Sequence, residues 1–231
     1  MPTVKLNNYG NTKIIAHRGL SGLYLENTVS AFKAAGKASY YGIESDVHVT
    51  KDGKFIIFHD DTTRRLAKIN LRIEDTDYYT LRLIPLKFHR MPSLKEYIQC
   101  CKNYNKVAVL ELKNPMKKES IAGIIDKITE IDYIEETVFI SFSAQNLLFV
   151  REIIKTQPVQ FLTEKFNSKT LDLLIENRFD LDIHYTGLDQ TVVDICHDNG
   201  IRVNCWTVNE PADAERLIDC GVDYITTNII E

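Results

Sequence analysis

The sequence predicts an α/β fold, a TIM (β/α)8 barrel with a short insertion after the second strand and its hairpin. Short β-branched runs alternate with amphipathic helical patterns from one end to the other, eight times over. Two late units repeat one device, a helix stopped by a glycine (Gly200, Gly221) that passes at once into a strand. No low-complexity stretch, linker or composition break divides the chain, so residues 1–231 read as one domain with residues 61–91 inserted in it. A doubly wound open sheet is the alternative topology.

The first strand is expected at Lys13 to His17 and the second at Gly42 to Val49. Lys51-Asp52-Gly53-Lys54 then signals a hairpin that returns through Lys54 to His59. With Asp52-Gly53 as a two-residue turn, His59 sits opposite Asp46 and on the same face as Glu44. A three-residue turn would slip that register and turn the histidine away. The insertion is charged (Arg64, Arg65, Arg72, Glu74, Asp75, Asp77) and lacks an apolar period, so it reads as a solvated excursion rather than a substrate lid. A helix follows from Pro92 to Cys101. The other six strands are expected at Lys106 to Leu112, Val138 to Phe142, Val159 to Thr163, Leu181 to His184, Arg202 to Thr207 and Asp223 to Thr226. Between them, Ser120 is the expected cap of a helix with the stripe Ile121, Ile124, Ile125, Ile128 and Ile131. Ser143 precedes the apolar pattern Leu147, Leu148, Phe149, Ile153 and Ile154, and Pro211 suits a first helical turn ahead of Ala214, Leu217 and Ile218.

The composition is that of an ordinary globular protein, 44% hydrophobic and 26% charged. A net charge of −4 and a pI near 5.9 argue against nucleic acid or an anionic membrane as the main partner, but not against a small anionic ligand. No run is long enough to insert stably in a bilayer, and the first residues lack the apolar core of a secretion signal. Five cysteines without metal-like spacing, two of them adjacent at Cys100 and Cys101, read as reduced thiols of a cytoplasmic protein. The sequence carries no reading of oligomeric state.

The chemistry gathers at the predicted carboxyl ends of the strands. Glu44 and Asp46 stand two apart in a β-branched run, so both carboxylates face one way. Like charges that close raise each other's pKa unless a cation sits between them, and a hard divalent ion is the usual answer. Glu111 ends another strand and completes an oxygen cage for Mg²⁺ or Ca²⁺; clustered cysteine and histidine ligands, which would point to zinc, are missing. Arg18 offers a guanidinium fork to phosphate oxygens, and Lys113, sharing a face with Glu111, adds a point charge. His17 and His59 are the candidate acid–base pair. His48 has the parity to compete as a ligand, whereas His89, His184 and His197 read as non-catalytic. Phe142 and Trp206 close their strands, and Trp206 reads equally as a pocket wall and as packing.

These residues fall in a recognisable order. Ile14-Ile15-Ala16-His17-Arg18-Gly19, Glu26-Asn27-Thr28, Gly42-Ile43-Glu44-Ser45-Asp46-Val47, Thr50-Lys51-Asp52-Gly53, Phe58-His59-Asp60, Leu110-Glu111-Leu112-Lys113 and Trp206-Thr207-Val208-Asn209 resemble the glycerophosphodiester phosphodiesterase family over about residues 13 to 227. The resemblance implies a barrel that hydrolyses glycerophosphodiesters, such as glycerophosphocholine or glycerophosphoethanolamine, to sn-glycerol 3-phosphate and an alcohol with one divalent cation. It implies Glu44, Asp46 and Glu111 as metal ligands, His17 and His59 as catalytic, and Arg18 and Lys113 as phosphate contacts. His59 is favoured as the acid, and the attacking oxygen is either the neighbouring glycerol hydroxyl or water. Two departures stand out. Leu25 replaces the family's proline before Glu-Asn-Thr, and the tail Thr226-Thr227-Asn228-Ile229-Ile230-Glu231 lacks its proline, which implies a looser closure. Lysophospholipase D-like activity on lysolipids and a non-catalytic phosphate-binding barrel are the alternatives. The polar insertion offers no apolar rim for the former.

Overall fold

A computed structural model describes residues 2–231 of the chain. Its first half comprises β1 (Lys13–Ala16), α1 (Val29–Lys37), β2 (Gly42–Val49), β3 (Phe55–Ile57), α2 (Tyr78–Leu83), β4 (Pro85–Leu86), β5 (His89–Arg90) and α3 (Leu94–Asn103). The second half follows as β6 (Val107–Leu112), α4 (Lys118–Thr129), β7 (Thr137–Ser141), α5 (Ala144–Ile153), β8 (Val159–Thr163) and α6 (Ser168–Asn177). It ends with β9 (Asp180–His184), α7 (Gln190–Asp198), β10 (Val203–Trp206), α8 (Pro211–Asp219) and β11 (Tyr224–Thr227).

Eight of these strands run parallel in the order β1-β11-β10-β9-β8-β7-β6-β2. The sheet closes where Ile15 and Ala16 of β1 pair with Gly42 and Ile43 of β2. That pairing removes the open-sheet alternative. Helices lie between successive strands, so every barrel strand is covered outside and filled inside. On β2, Ile43 and Val47 join the large core beneath the helices, while Glu44 and Asp46 take the opposite face. On β6, Val109 and Glu111 share one face. Val109 joins Ile15, Ile140, Leu162 and Tyr224 in a separate apolar cluster, and Glu111 lies two residues further along the strand. An apolar floor therefore lies beneath the acids.

Several helix ends follow the sequence reading. Gly200 (φ 70°) and Gly221 (φ 84°) take the left-handed conformation after their helices. Pro211 opens α8. The helix expected from Pro92 to Cys101 instead starts at Leu94 and runs to Asn103, because Ser93 and Glu96 form a capping box ahead of it. Ser120 is a correction: α4 starts at Lys118 behind Lys117, which puts Ser120 inside the first turn. Ile121, Ile124, Ile125 and Ile128 are buried there as the stripe requires, and Ile131 packs just past the helix end.

Two larger expectations fail. The hairpin register is slipped by one residue, because Val47 pairs with Ile57 and Val49 with Phe55 around a three-residue loop, Lys51 to Gly53. Thr50 causes this: its hydroxyl donates to Asp52 and accepts from the Lys54 amide, stabilising the longer loop. The insertion is also no solvated excursion. Ile73, Leu81, Ile84, Leu86 and Met91 are buried with Ile56 and Phe58 in a satellite core, which its charged surface concealed. The tail is likewise tied, through a Val4–Ile230 bridge and a Glu231 amide that donates to the Val4 carbonyl.

Candidate active site

Glu44, Asp46 and Glu111 meet at one end of the barrel because β2 and β6 are neighbours in register, with Asp46 beside Glu111. One carboxylate oxygen from each lies within 4.8 Å of the other two. All three are buried. Two cations reach the same group: Lys113 Nζ is 2.8 Å from Glu111 and 3.6 Å from Asp46, and Arg18 Nε is 3.7 Å from Asp46. Asn27 adds an amide that donates to Asp46 at 2.7 Å and accepts from Ser45.

Three acids face two cations here, and the electrostatics register the imbalance. Burial, reinforced by Asp46, raises the Glu44 carboxyl well above its ordinary range and pushes Glu111 up to about 7. Burial would also raise Asp46, but Lys113 and Arg18 together hold it below the usual carboxylate range. The donor set is all oxygen and suits a hard divalent cation. Asp46 Oδ1, buried without a hydrogen bond, supplies an acceptor for it. The residues present fit such an ion.

His17 and Arg18 leave β1 through a tight turn. The His17 amide donates to Thr227, Arg18 takes φ 54° and Gly19 φ 75°. A side chain at Gly19 would lie 2.7 Å from the Ala31 backbone, so only glycine fits the approach of α1. This turn delivers the Arg18 amide to Glu44 at 2.8 Å and sets His17 Nε2 4.0 Å from the same carboxylate. The Asn228 amide oxygen lies 2.7 Å from His17 Nδ1. An amide oxygen can only accept, so the proton is on Nδ1 and the Nε2 lone pair is free. Burial, then Arg18, lowers the His17 pKa to about 4.

His59 arrives by a route other than the one its sequence position predicts. β3 ends at Ile57, the Phe58 amide still donates to the Asp46 carbonyl, and the chain bends at His59 and Asp60. His59 Nδ1 then faces Asp60 at 2.7 Å, and Arg65 bridges Asp60 to Glu26, which in turn holds Arg18. Burial lowers the His59 pKa, Asp46 opposing. His48 shares the parity of Glu44 and Asp46 but is diverted. Its ring sits 3.6 Å from Glu74 and 3.4 Å from the His59 carbonyl, outside the acid cluster.

Phe142 and Trp206 stand edge to face at 5.7 Å, with Trp206 in turn against His184 at 5.2 Å. They form an aromatic group at the ends of β7, β9 and β10, and Phe142 is half exposed. Reading residues singly missed Asn27, Asp60, Arg65 and Asn228. Asn27 and Asp60 each adjoin or sit inside a quoted motif, whereas Arg65 and Asn228 carry no local signal. Asp182, fully buried on β9 and raised by burial and then by Glu111, was missed as well.

The sequence profile of the Glycerophosphoryl diester phosphodiesterase family matches residues 17–231. The chain belongs to that family. It is similar to a glycerophosphodiester phosphodiesterase from Caldanaerobacter subterraneus subsp. tengcongensis, 28% identical over 94% of each chain. A solved phosphodiesterase from Oleispira antarctica, in complex with the product sn-glycerol-3-phosphate, superposes with a TM-score of 0.88 at 25% identity, covering 94% of this chain and 92% of that one. A lysophospholipase D from Homo sapiens is 24% identical over 94% of this chain and 83% of its own length. The protein is a phosphoric diester hydrolase with its acids, cations and imidazoles at one barrel end.

Proposed function

We propose that the protein hydrolyses small glycerophosphodiesters, such as glycerophosphocholine or glycerophosphoethanolamine, to sn-glycerol 3-phosphate and an alcohol. The observation that carries this reading is the convergence of Glu44, Asp46 and Glu111 with Arg18, Lys113, His17 and His59 in a chain of this family. The product named with the Oleispira antarctica neighbour supports the choice of substrate. Glu44, Asp46 and Glu111 would hold one divalent cation, Mg²⁺ or Ca²⁺, which when bound supplies Lewis-acid neutralisation of the phosphoryl oxygens.

The side chains divide the remaining chemistry. Arg18 and Lys113 orient the phosphodiester through its non-bridging oxygens. His17 is the base: its Nε2 is unprotonated, and burial disfavours the imidazolium. It accepts the proton of the attacking oxygen, either water or the adjacent glycerol hydroxyl; the latter gives a cyclic phosphate, whose P–O bond to that hydroxyl oxygen water then breaks, the two histidines exchanging roles, to leave glycerol 3-phosphate. His59 is the acid: burial lowers its pKa overall, but Asp46 and the Asp60 carboxylate behind Nδ1 oppose that shift and support the imidazolium, whereas His17 has its proton on Nδ1. As the bond from phosphorus to the leaving oxygen breaks, His59 Nε2 delivers the proton that makes it an alcohol. Phe142 and Trp206 would wall the organic part of the substrate.

Purified protein with Mg²⁺ or Ca²⁺ is expected to release glycerol 3-phosphate from glycerophosphocholine, and EDTA to stop it. His17→Ala and His59→Ala are each expected to lower kcat by about two orders of magnitude or more. Full turnover in either variant, or in EDTA, would show the roles to be misassigned. Lysophosphatidylcholine in the same assay separates the lysolipid alternative, and phosphate binding without product would mark a non-catalytic barrel. Among the described residues no helix is long and apolar enough to cross a membrane. We place the enzyme in the cytoplasm on its unpaired cysteines, four of five of them buried.

A further inference from the structure

The β4–β5 hairpin carries features that the reaction does not use. Phe88, in its two-residue turn, is 100% exposed, and Leu83, closing α2, is 83% exposed. Close by in sequence, Ile84, Leu86 and Met91 are buried in the satellite core. Arg82 donates to the Met91 carbonyl and pairs with Glu96, tying the end of α2 to the chain that leaves the hairpin. The root is therefore clamped while the tip is held out in water. Single exposed leucines are ordinary, but a wholly exposed phenylalanine on an anchored tip implies a cover.

Charge identifies the cover. From Tyr78 to Lys95 the chain carries Arg82, Lys87, Arg90 and Lys95 and not one Asp or Glu, in a protein of net charge −4. Lys87, Arg90 and Lys95 are exposed. Arg82 and Arg90 both meet Glu96, which leaves Lys87, next to Phe88, as the uncompensated charge of the tip. Aromatic and aliphatic side chains flanked by Lys and Arg are what binds the head-group boundary of an anionic bilayer. The segment also adjoins the barrel mouth: His89 Nδ1 lies 3.4 Å from Ser30 Oγ beside the α1 cap.

We propose that this tip docks the enzyme peripherally and reversibly on an anionic lipid surface, Phe88 and Leu83 entering the boundary while Lys87 faces the head groups. The inference goes beyond the catalytic reading, since its readout is partition and not turnover. The full chain is spun with vesicles of phosphatidylcholine alone and of phosphatidylcholine mixed with phosphatidylglycerol. The wild type is expected to sediment with the anionic vesicles and to be released by salt. The double variant Leu83→Ser/Phe88→Ala is expected to partition about tenfold or more less strongly. Lys87→Glu should weaken binding about tenfold on anionic vesicles and leave neutral ones unaffected. All three side chains are exposed, so unchanged melting midpoints confirm that the variants fold. Wild-type protein that prefers neither vesicle, or variants that sediment like the wild type, would overturn the proposal. So would a dimer in light scattering that the double variant dissolves while vesicles leave the wild type in the supernatant, because a second copy would then be the cover.

Discussion

Replacing Glu111 with glutamine should stabilise the metal-free protein while disabling it. Burial and the neighbouring Asp46 raise the Glu111 carboxyl from its ordinary 4.5 to about 7. A raised acid binds its proton more tightly when folded, so stability is full below pH 4.5, declines between 4.5 and 7, and is flat above. That gap is worth about 3 kcal/mol, at about 1.4 kcal/mol per tenfold change in proton concentration. Glutamine keeps the size and still accepts from Lys113, now 2.8 Å away, but carries no charge. In EDTA at pH 8 the variant should gain about 1–3 kcal/mol, which for a chain of this size is about 2–12 °C in melting temperature. At pH 4.5 the gain should nearly vanish. With the divalent ion at a hundred times its dissociation constant that advantage should shrink or reverse, because the wild type gains about 2.7 kcal/mol by mass action and the variant gains less. Thermal melts at two pH values, with EDTA and with Mg²⁺ or Ca²⁺, test each step. A variant less stable than wild type in EDTA at pH 8, or a gain equal at both pH values, refutes the crowding of acids on which the cation site rests.

Three further predictions follow from single contacts. Gly19→Ala, at φ 75° with the Ala31 backbone 2.7 Å from the added carbon, should cost about 2 kcal/mol or more in urea denaturation and lower turnover, because the same turn carries Arg18 to Glu44. Glu96→Gln should cost about 1 kcal/mol at neutral pH, since Glu96 accepts from Ser93 and Arg82 at the start of α3. Those contacts hold its pKa at about 2, so the cost should be full above pH 4.5 and fade as pH falls through 2, as melts across that range would reveal. With His17 neutral down to about pH 4, the acidic limb of kcat/KM should lie below the ordinary histidine value of 6.5, and a limb at or above 6.5 counts against His17 as the base.

What the sequence determined by itself is what depends on local periodicity. Alternation along Gly42 to Val49 sets Glu44 and Asp46 on one face whatever the chain does elsewhere. The glycine stops at Gly200 and Gly221 end their helices because only glycine takes that conformation freely. The barrel was legible for the same reason, as was the meeting of Glu111 with Asp46 once strand neighbours were assumed.

Only the tertiary structure decided the rest. Register depends on turn energetics that one hydroxyl shifts, and Thr50 moved the hairpin by a residue. His59 reaches the acids because the chain bends after Ile57, not because strand parity aims it there. Asn228 orients His17 across 211 residues of chain, a pairing that no local pattern encodes. The insertion buries its core against Ile56 and Phe58 of the preceding segment, so its apolar residues follow no period of their own. Strand and helix periods are properties of neighbours in sequence, whereas a catalytic contact is a property of neighbours in space.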